Sequence, residues 1–291
     1  MAGSAAGQPP GHTDPRLAAG LAVVLGVALI ALLWPALHAT APAALSDIAL
    51  RRFTAPLHRT PDGVLHLLGT DRFGRDLLVR LVLGARVSLA VGALAALVAT
   101  ATGVLLGAAA GYAGGWTDRV ISALTDAALA IPRVPFLLLL VALFQPGVAV
   151  TVLAIGLTGW MTVTRLVRAE VRALRERLFV EAARALGSAP ARVVARHILP
   201  HAIATALVAA ALGVGNAIML EAGLSFLGLG VQPPVPSWGN MIAAGRDALV
   251  IAPWVALVPA ATVALVVLAC SLVADGLESR LAGERVSGAG S

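Results

Sequence analysis

The chain has 291 residues, of which 59% are hydrophobic and only 12% charged, about half the charge share of an ordinary soluble domain. A water-soluble core cannot absorb that much apolar surface, so a soluble globular domain is excluded and lipid replaces water as the solvent. The net charge is +6 and every basic residue is an arginine; these cations flank apolar runs, which points to a membrane surface rather than nucleic acid, and the single cysteine, Cys270, excludes an internal disulfide and a cysteine-based metal cluster.

The charges fence off long neutral windows: Arg16 to Asp47, Arg86 to Asp118, Arg133 to Arg165, Arg196 to Glu221 and Asp247 to Asp275. A spanning helix needs about 20 apolar residues, and backbone in lipid must satisfy its own hydrogen bonds. The expected fold is therefore all-α, a polytopic membrane bundle of about six helices. Residues 1–16 form a tail, and 17–39 an N-terminal anchor. Ala39-Thr40-Ala41 looks like a leader cleavage site, but the apolar run exceeds the roughly 7–15 residues of a signal-peptide core, which favours an uncleaved anchor.

A more polar segment follows at 40–86. The core at 87–275 then holds spans near 87–112, 121–144, 147–167, 203–222 and 250–275. Asp126 and Arg133 interrupt the span at 121–144. Its first part reads as an amphipathic surface helix, with the span proper starting near Pro132. The neutral window 222–245 is rich in Gly, Pro, Ser and Asn, so it reads as a loop packed at one membrane face. Residues 276–291 close the chain as a second tail. Eight arginines between Arg165 and Arg196 mark that segment as cytoplasmic. Counting spans puts both termini on the same side and 40–86 outside, although 40–86 carries seven arginines of its own, from Arg51 to Arg86.

Within the spans, Gly103, Gly107 and Gly111 form a small-residue stripe suited to close helix packing. Asn216 and Glu221 lie on the 203–222 helix, where polar groups are costly and face a partner or a cavity. Lining of a pathway is one reading for both. For Glu221, near the helix end, a structural hydrogen bond to the following loop is preferred. Asp126 suits a structural pair with a loop arginine.

The segment 168–202 is the most informative. Leu178 to Leu186 are good helix formers, and Gly187 can take the left-handed conformation that ends a helix. Ser188 can cap a second helix with Pro190 in its first turn, and Pro200 marks the passage into the next span. The sequence Glu181-Ala182-Ala183-Arg184-Ala185-Leu186-Gly187, with His197-Ile198-Leu199-Pro200 nine residues on, resembles the EAA loop of ABC importer permeases. Leu68-Gly69-Thr70-Asp71 with Gly74-Arg75-Asp76 is similar to the GTD..GRD segment of the dipeptide/oligopeptide/nickel permease family. So are Gly84-Ala85-Arg86, Gly111-Tyr112 with Gly114-Gly115-Trp116, and the stretch from Glu221 through Gln232-Pro233-Pro234 to Trp238-Gly239. The likeness covers roughly 66–280, and the single N-terminal anchor resembles the C-type member of a permease pair. Arg133 departs from the small residue the family pattern has there.

The resemblance implies a type I importer permease fold in which 168–202 is the cytoplasmic coupling loop. Glu181, Ala182, Ala183, Arg184, Gly187 and Pro200 would belong to the joint with an ATPase, with Ala182 and Ala183 in close contact and Arg184 either in an ion pair or on a solvated face. The implied partners are a second permease, two ABC ATPases and an extracytoplasmic binding protein. The chain would bind no cofactor; ATP and Mg would be used by the ATPases. Independently of the resemblance, a Walker-type phosphate loop needs a lysine, and the sequence has none. Short peptides are the first reading of the cargo and nickel the second. An ion-coupled transporter would show repeats and midplane acids. A membrane enzyme would need a polar constellation, for which His197 and His201, with Pro200 between them and no carboxylate beside them, do not qualify.

Overall fold

The structure, a computed structural model, describes residues 14–37, 51–60 and 63–287. Residues 1–13 of the expected tail at 1–16, the Ala39–Ala41 cleavage-like sequence and residues 288–291 lie outside them. Helix α1 covers Pro15–Leu37. A two-stranded hairpin, β1 (His58–Arg59) and β2 (Leu65–His66), precedes α2 (Leu77–Ala113). Then come α3 (Gly115–Ala130), α4 (Arg133–Leu143), α5 (Val148–Leu157) and α6 (Trp160–Arg175). The short α7 (Leu178–Ala185) and α8 (Pro190–Val193) lead into α9 (Leu199–Phe226), followed by α10 (Trp238–Gly245) and α11 (Trp254–Ser287). Among the described residues, five helical segments are long and apolar enough to cross a membrane, or six if the bent pair α3–α4 counts as one. Large apolar side chains such as Leu25, Leu97, Leu105, Leu207 and Leu268 stand exposed around the bundle, as lipid-facing surface does.

Several boundaries differ from those expected. Helix α2 starts ten residues before 87, because the Asp76 side chain accepts from the Val79 amide (3.1 Å) and caps it. The arginines that suggest a later start are tied to protein. Arg80 lies 3.6 Å from Asp71, and Arg86 donates to the carbonyls of Ala31 (2.6 Å) and Leu32 (2.9 Å) on α1. At 37 residues, α2 is about 55 Å long, well beyond a hydrocarbon layer of about 30 Å.

The span expected at 121–144 is not one helix. Ile131 is extended, as a residue before proline prefers to be, and α3 and α4 meet at 88°. The 11 residues of α4 reach about 16 Å, half a crossing. The window 222–245 is not wholly loop. Helix α9 runs to Phe226, and Ser237 and Asn240 form a reciprocal capping box that starts α10. Here Asn acts as a cap rather than as a breaker. Helix α11 likewise runs past 275 into the expected tail.

Pro200 does not interrupt the chain before α9 either. Proline has no amide hydrogen to give an α-helical ladder. Residues Val194–Ile198 widen into a π turn in which the Leu199 amide reaches back to the Val194 carbonyl, a rearrangement that keeps the helix going. Pro190–Phe226 is thus continuous over 37 residues.

Small residues set the packing. The glycine stripe of α2 lies on α6 in matched steps of four: a Cβ on Gly103 would stand 2.5 Å from the Val163 Cβ, one on Gly107 2.8 Å from the Val167 Cβ, and one on Gly111 2.9 Å from the Val171 Cβ. Both residue series increase together, so α2 and α6 run parallel; Gly156 of α5 against Val98 continues the same series, and α3 and α4 make the return. Helix α9 lies antiparallel on α2, with Gly92 against Ile218 and Ser88 beside Glu221. Helix α1 packs on α11, with Gly20 against Ala269 and Gly276 against Leu17.

The bundle therefore has two chemically distinct ends. One carries α7, the arginine-rich end of α6, Asp14 and Ser279, the last two joined by a hydrogen bond. The other carries the hairpin, the Gly69–Asp76 turn and α10. There Asp71 accepts from the Phe73 and Arg75 amides (2.8 and 3.0 Å), and His66 Nδ1 lies 2.7 Å from Asp76. Gly69 has φ +79° where a Cβ would meet the Thr54 carbonyl oxygen at 2.5 Å, so only glycine suits this turn.

Candidate functional site: an outward-facing helix and an interhelical cavity

Helix α7 has two faces. Val180 and Ala183 turn inward, into a core with Val167 and Val171 of α6, Ile198 at the end of the π turn, and Ala202 and Ala206 beyond it. Leu178, Ala182 and Leu186, at i, i+4 and i+8, line the opposite face; Leu178 is 82% and Leu186 87% exposed. This corrects the expectation for the paired alanines. Ala182 is exposed, but Ala183 is only 8% exposed and packs on its own bundle. Consecutive helical residues point about 100° apart, so one docked face cannot hold both.

Glu181 sits exposed in the first turn of α7. Arg184 is exposed, as on the solvated face that was one of its two expected places, and its guanidinium also lies 5.1 Å from the centre of the Tyr112 ring. This cation–π contact fastens α7 to the end of α2. Gly187 closes α7 with φ +79°. The Ser188 amide bonds the Ala183 carbonyl (3.1 Å) and the Gly187 amide that of Arg184 (2.9 Å), the paired bonds of a Schellman motif. Ser188 does not cap α8; the N-cap is Ala189, without a side-chain bond. His201 packs its ring 6.0 Å from that of Phe179. Asp118 and Asp126 of α3 bond Arg168 and Arg165 of α6, the latter at 2.6 Å, so Asp126 has the arginine partner expected of it.

A cavity of about 830 Å³ lies between α2, α5–α6 and α9. Ala95, Ala96, Ala99, Gly159 and Gly213 leave the space, and Thr100, Thr162, Thr205 and Asn216 give it polar edges. Arg133, Glu170 and Glu278 bring charge to it. Asn216 and Glu221 part company here. Five residues along a helix is about 140° of rotation, so Asn216 faces the cavity while Glu221 faces α2.

Glu221 is fully buried. It accepts from Ser88 Oγ (3.2 Å) and Ser225 Oγ (2.7 Å); Ser88 Oγ in turn accepts from the Trp238 amide (3.1 Å), and Ser225 Oγ from the Val231 amide (3.1 Å). The carboxyl group thereby holds α2, α9 and the loop to α10 together. Glu221→Ala is expected to leave two buried hydroxyls without an acceptor and to destabilise the protein by about 2 kcal/mol. Thermal unfolding of the purified protein measures this, and an unchanged midpoint would show that the network contributes nothing.

Sequence reasoning missed three features of this region: the exposed ridge of α7, the place of Arg133 in the cavity wall, and the Arg184–Tyr112 contact. The ridge has a signal in the four-residue spacing of Leu178, Ala182 and Leu186. The other two depend on long-range packing.

Residues 103–283, which contain α3 to α10 and the cavity's α5, α6 and α9 walls, match the family described as binding-protein-dependent transport system inner membrane component. The chain belongs to that family. It is 40% identical over 216 residues to the dipeptide transport system permease protein DppC of Alkalihalophilus pseudofirmus, covering 74% of this chain and 71% of that one. It is 44% identical over 214 residues to a putative peptide permease protein of Brucella suis biovar 1, covering 73% and 71%. With the glutathione transport system permease protein GsiD of Pectobacterium atrosepticum it shares 39% identity over 216 residues, covering 74% and 72%. The permease is a multi-pass inner-membrane transport subunit of an ABC importer, as the EAA and GTD..GRD resemblances imply.

Proposed function

We propose that this permease is one transmembrane half of an ATP-driven importer of short peptides. It pairs with a second permease, and two ATPases, which use ATP and Mg, dock on the α7 end. A binding protein delivers the solute at the opposite end. The α7 end and both termini are cytoplasmic, and residues 40–86 belong to the extracytoplasmic side. The observation that carries this reading is the apolar ridge of α7, which faces away from the bundle while the opposite side of the same helix is packed into it. The dipeptide, peptide and glutathione names of the relatives above favour peptides over nickel. In the mechanism, movement of the docked ATPases pushes α7. Its inner face, Val180 and Ala183, transmits the push to α6 and α9, which wall the cavity, and the bundle exchanges between two packed states.

Proteoliposomes holding the complete complex test this. A labelled dipeptide is expected to accumulate with binding protein and ATP together, and not with an imposed ion gradient alone. Accumulation driven by a gradient without nucleotide would replace this reading with that of a secondary transporter.

A further inference from the structure

Resting on the importer reading above, with the α2–α6–α9 cavity taken as its solute path, we propose that Arg133 recognises a carboxylate of the passing solute. Arg133 is the first residue of α4, directly after the 88° bend. Among the described residues it is the only basic one in the cavity wall. Its Nη2 donates to the Ile155 carbonyl oxygen (3.2 Å), while its Nε is enclosed and without a hydrogen-bond partner. A guanidinium carries five N–H donors in a planar fork, so most of its capacity is unspent among the described residues.

The site around it is shaped for a guanidinium. A Cβ on Gly159 would stand 3.0 Å from the Ala99 Cβ and 3.3 Å from Arg133 Nη2, so the glycine leaves the space the arginine occupies. Ala99 lies about one turn past the middle of α2, which puts the charge near the centre of the bundle rather than at a water-facing end. The acids of the cavity are elsewhere: Glu170 is eleven residues beyond Gly159 along α6, about 16 Å away. Glu278 belongs to the half of α11 at the α7 end of the bundle, next to Ser279.

A cation at that depth is costly unless an anion or water meets it. The planar fork of arginine matches a carboxylate through two parallel hydrogen bonds. Short peptides carry a terminal carboxylate, so the residue and the cargo are chemically complementary.

The test compares a dipeptide with its C-terminal amide in proteoliposomes of the full complex, each supplied above its Kd for the binding protein so that delivery is equal. With Arg133→Met, uptake of the free peptide is expected to fall at least tenfold and uptake of the amide less than twofold, with the complex assembling at wild-type levels. Arg133→Lys is expected to restore part of the free-peptide uptake. Undiminished uptake of the free peptide by Arg133→Met overturns the proposal. An equal loss for peptide and amide also overturns it, since Arg133 would then serve the structure or meet a carboxylate of the second permease. Absence of ATP-dependent uptake by the unmodified complex is a separate result, which strikes the importer reading itself.

Discussion

Leu186→Asp is expected to disconnect the permease from its ATPase while leaving its own fold intact. Leu186 is 87% exposed and lies on the same face as Leu178 and Ala182, opposite the face formed by Val180 and Ala183. A carboxylate there costs the isolated chain little, within about 0.5 kcal/mol, as for other surface changes. In a docked apolar groove the same carboxylate would be desolvated without a partner. Central apolar anchors of an interface are worth about 2 kcal/mol or more. With the desolvation added, the loss should reach about 3 kcal/mol, roughly a hundredfold in affinity. Co-purification of the ATPase with the variant, together with uptake in reconstituted vesicles, measures both consequences. Full ATPase retention with wild-type uptake would mean that this ridge is not the joint.

Gly107→Leu is expected to have the largest effect on folding. Even a bare Cβ at this position would stand 2.8 Å from the Thr164 carbonyl oxygen and 2.8 Å from the Val167 Cβ. The obstacle is partly backbone, so no side-chain rotation relieves it, and α2 must separate from α6. Helix association in lipid depends on such close approach. The cost should be about 3 kcal/mol, the upper end for overpacking, and larger still if the neighbouring Gly103 and Gly111 contacts open as well. Gly26→Leu is the control, since nothing lies within 4 Å of a Cβ there. Its thermal midpoint should match that of the wild type while that of Gly107→Leu collapses. Equal midpoints for the two variants would refute the account of α2–α6 packing.

Features set by local chemistry are legible in the sequence. Long neutral windows declare helices because lipid offers no alternative partner to the backbone. Gly187 declares its left-handed turn, and the spacing around it declares the family loop. The misses arise where a local rule meets a longer-range contact. Arg80 and Arg86 read as a fence against the membrane, yet one meets Asp71 and the other finds carbonyl partners on α1. Pro200 reads as a boundary because the π turn that accommodates it leaves no mark in composition. Asn240 counts among helix breakers by residue type, whereas beside Ser237 it starts a helix.

In the site, the different facing of Asn216 and Glu221 follows from their separation on one helix, but which of the two faces meets a void depends on α2 and α6. Ala182 and Ala183 form one motif in the sequence and face different surroundings in space. Arg133 is visible in the sequence as a departure from the family pattern; its proximity to Ile155 and Gly159 depends on the return of α5 against α4.

The uninterrupted helix from Pro190 to Phe226 has a consequence for the order of events in a transport cycle. At about 55 Å it is a single stiff beam that reaches from beside α7, past the cavity, to the serine–glutamate tie at the opposite face. Tilting a beam about a point near its middle swings its two tips in opposite directions, so whatever widens the gap at one face narrows it at the other in the same stroke. Opening at one face and closing at the other would then be coupled through the stiffness of this one helix.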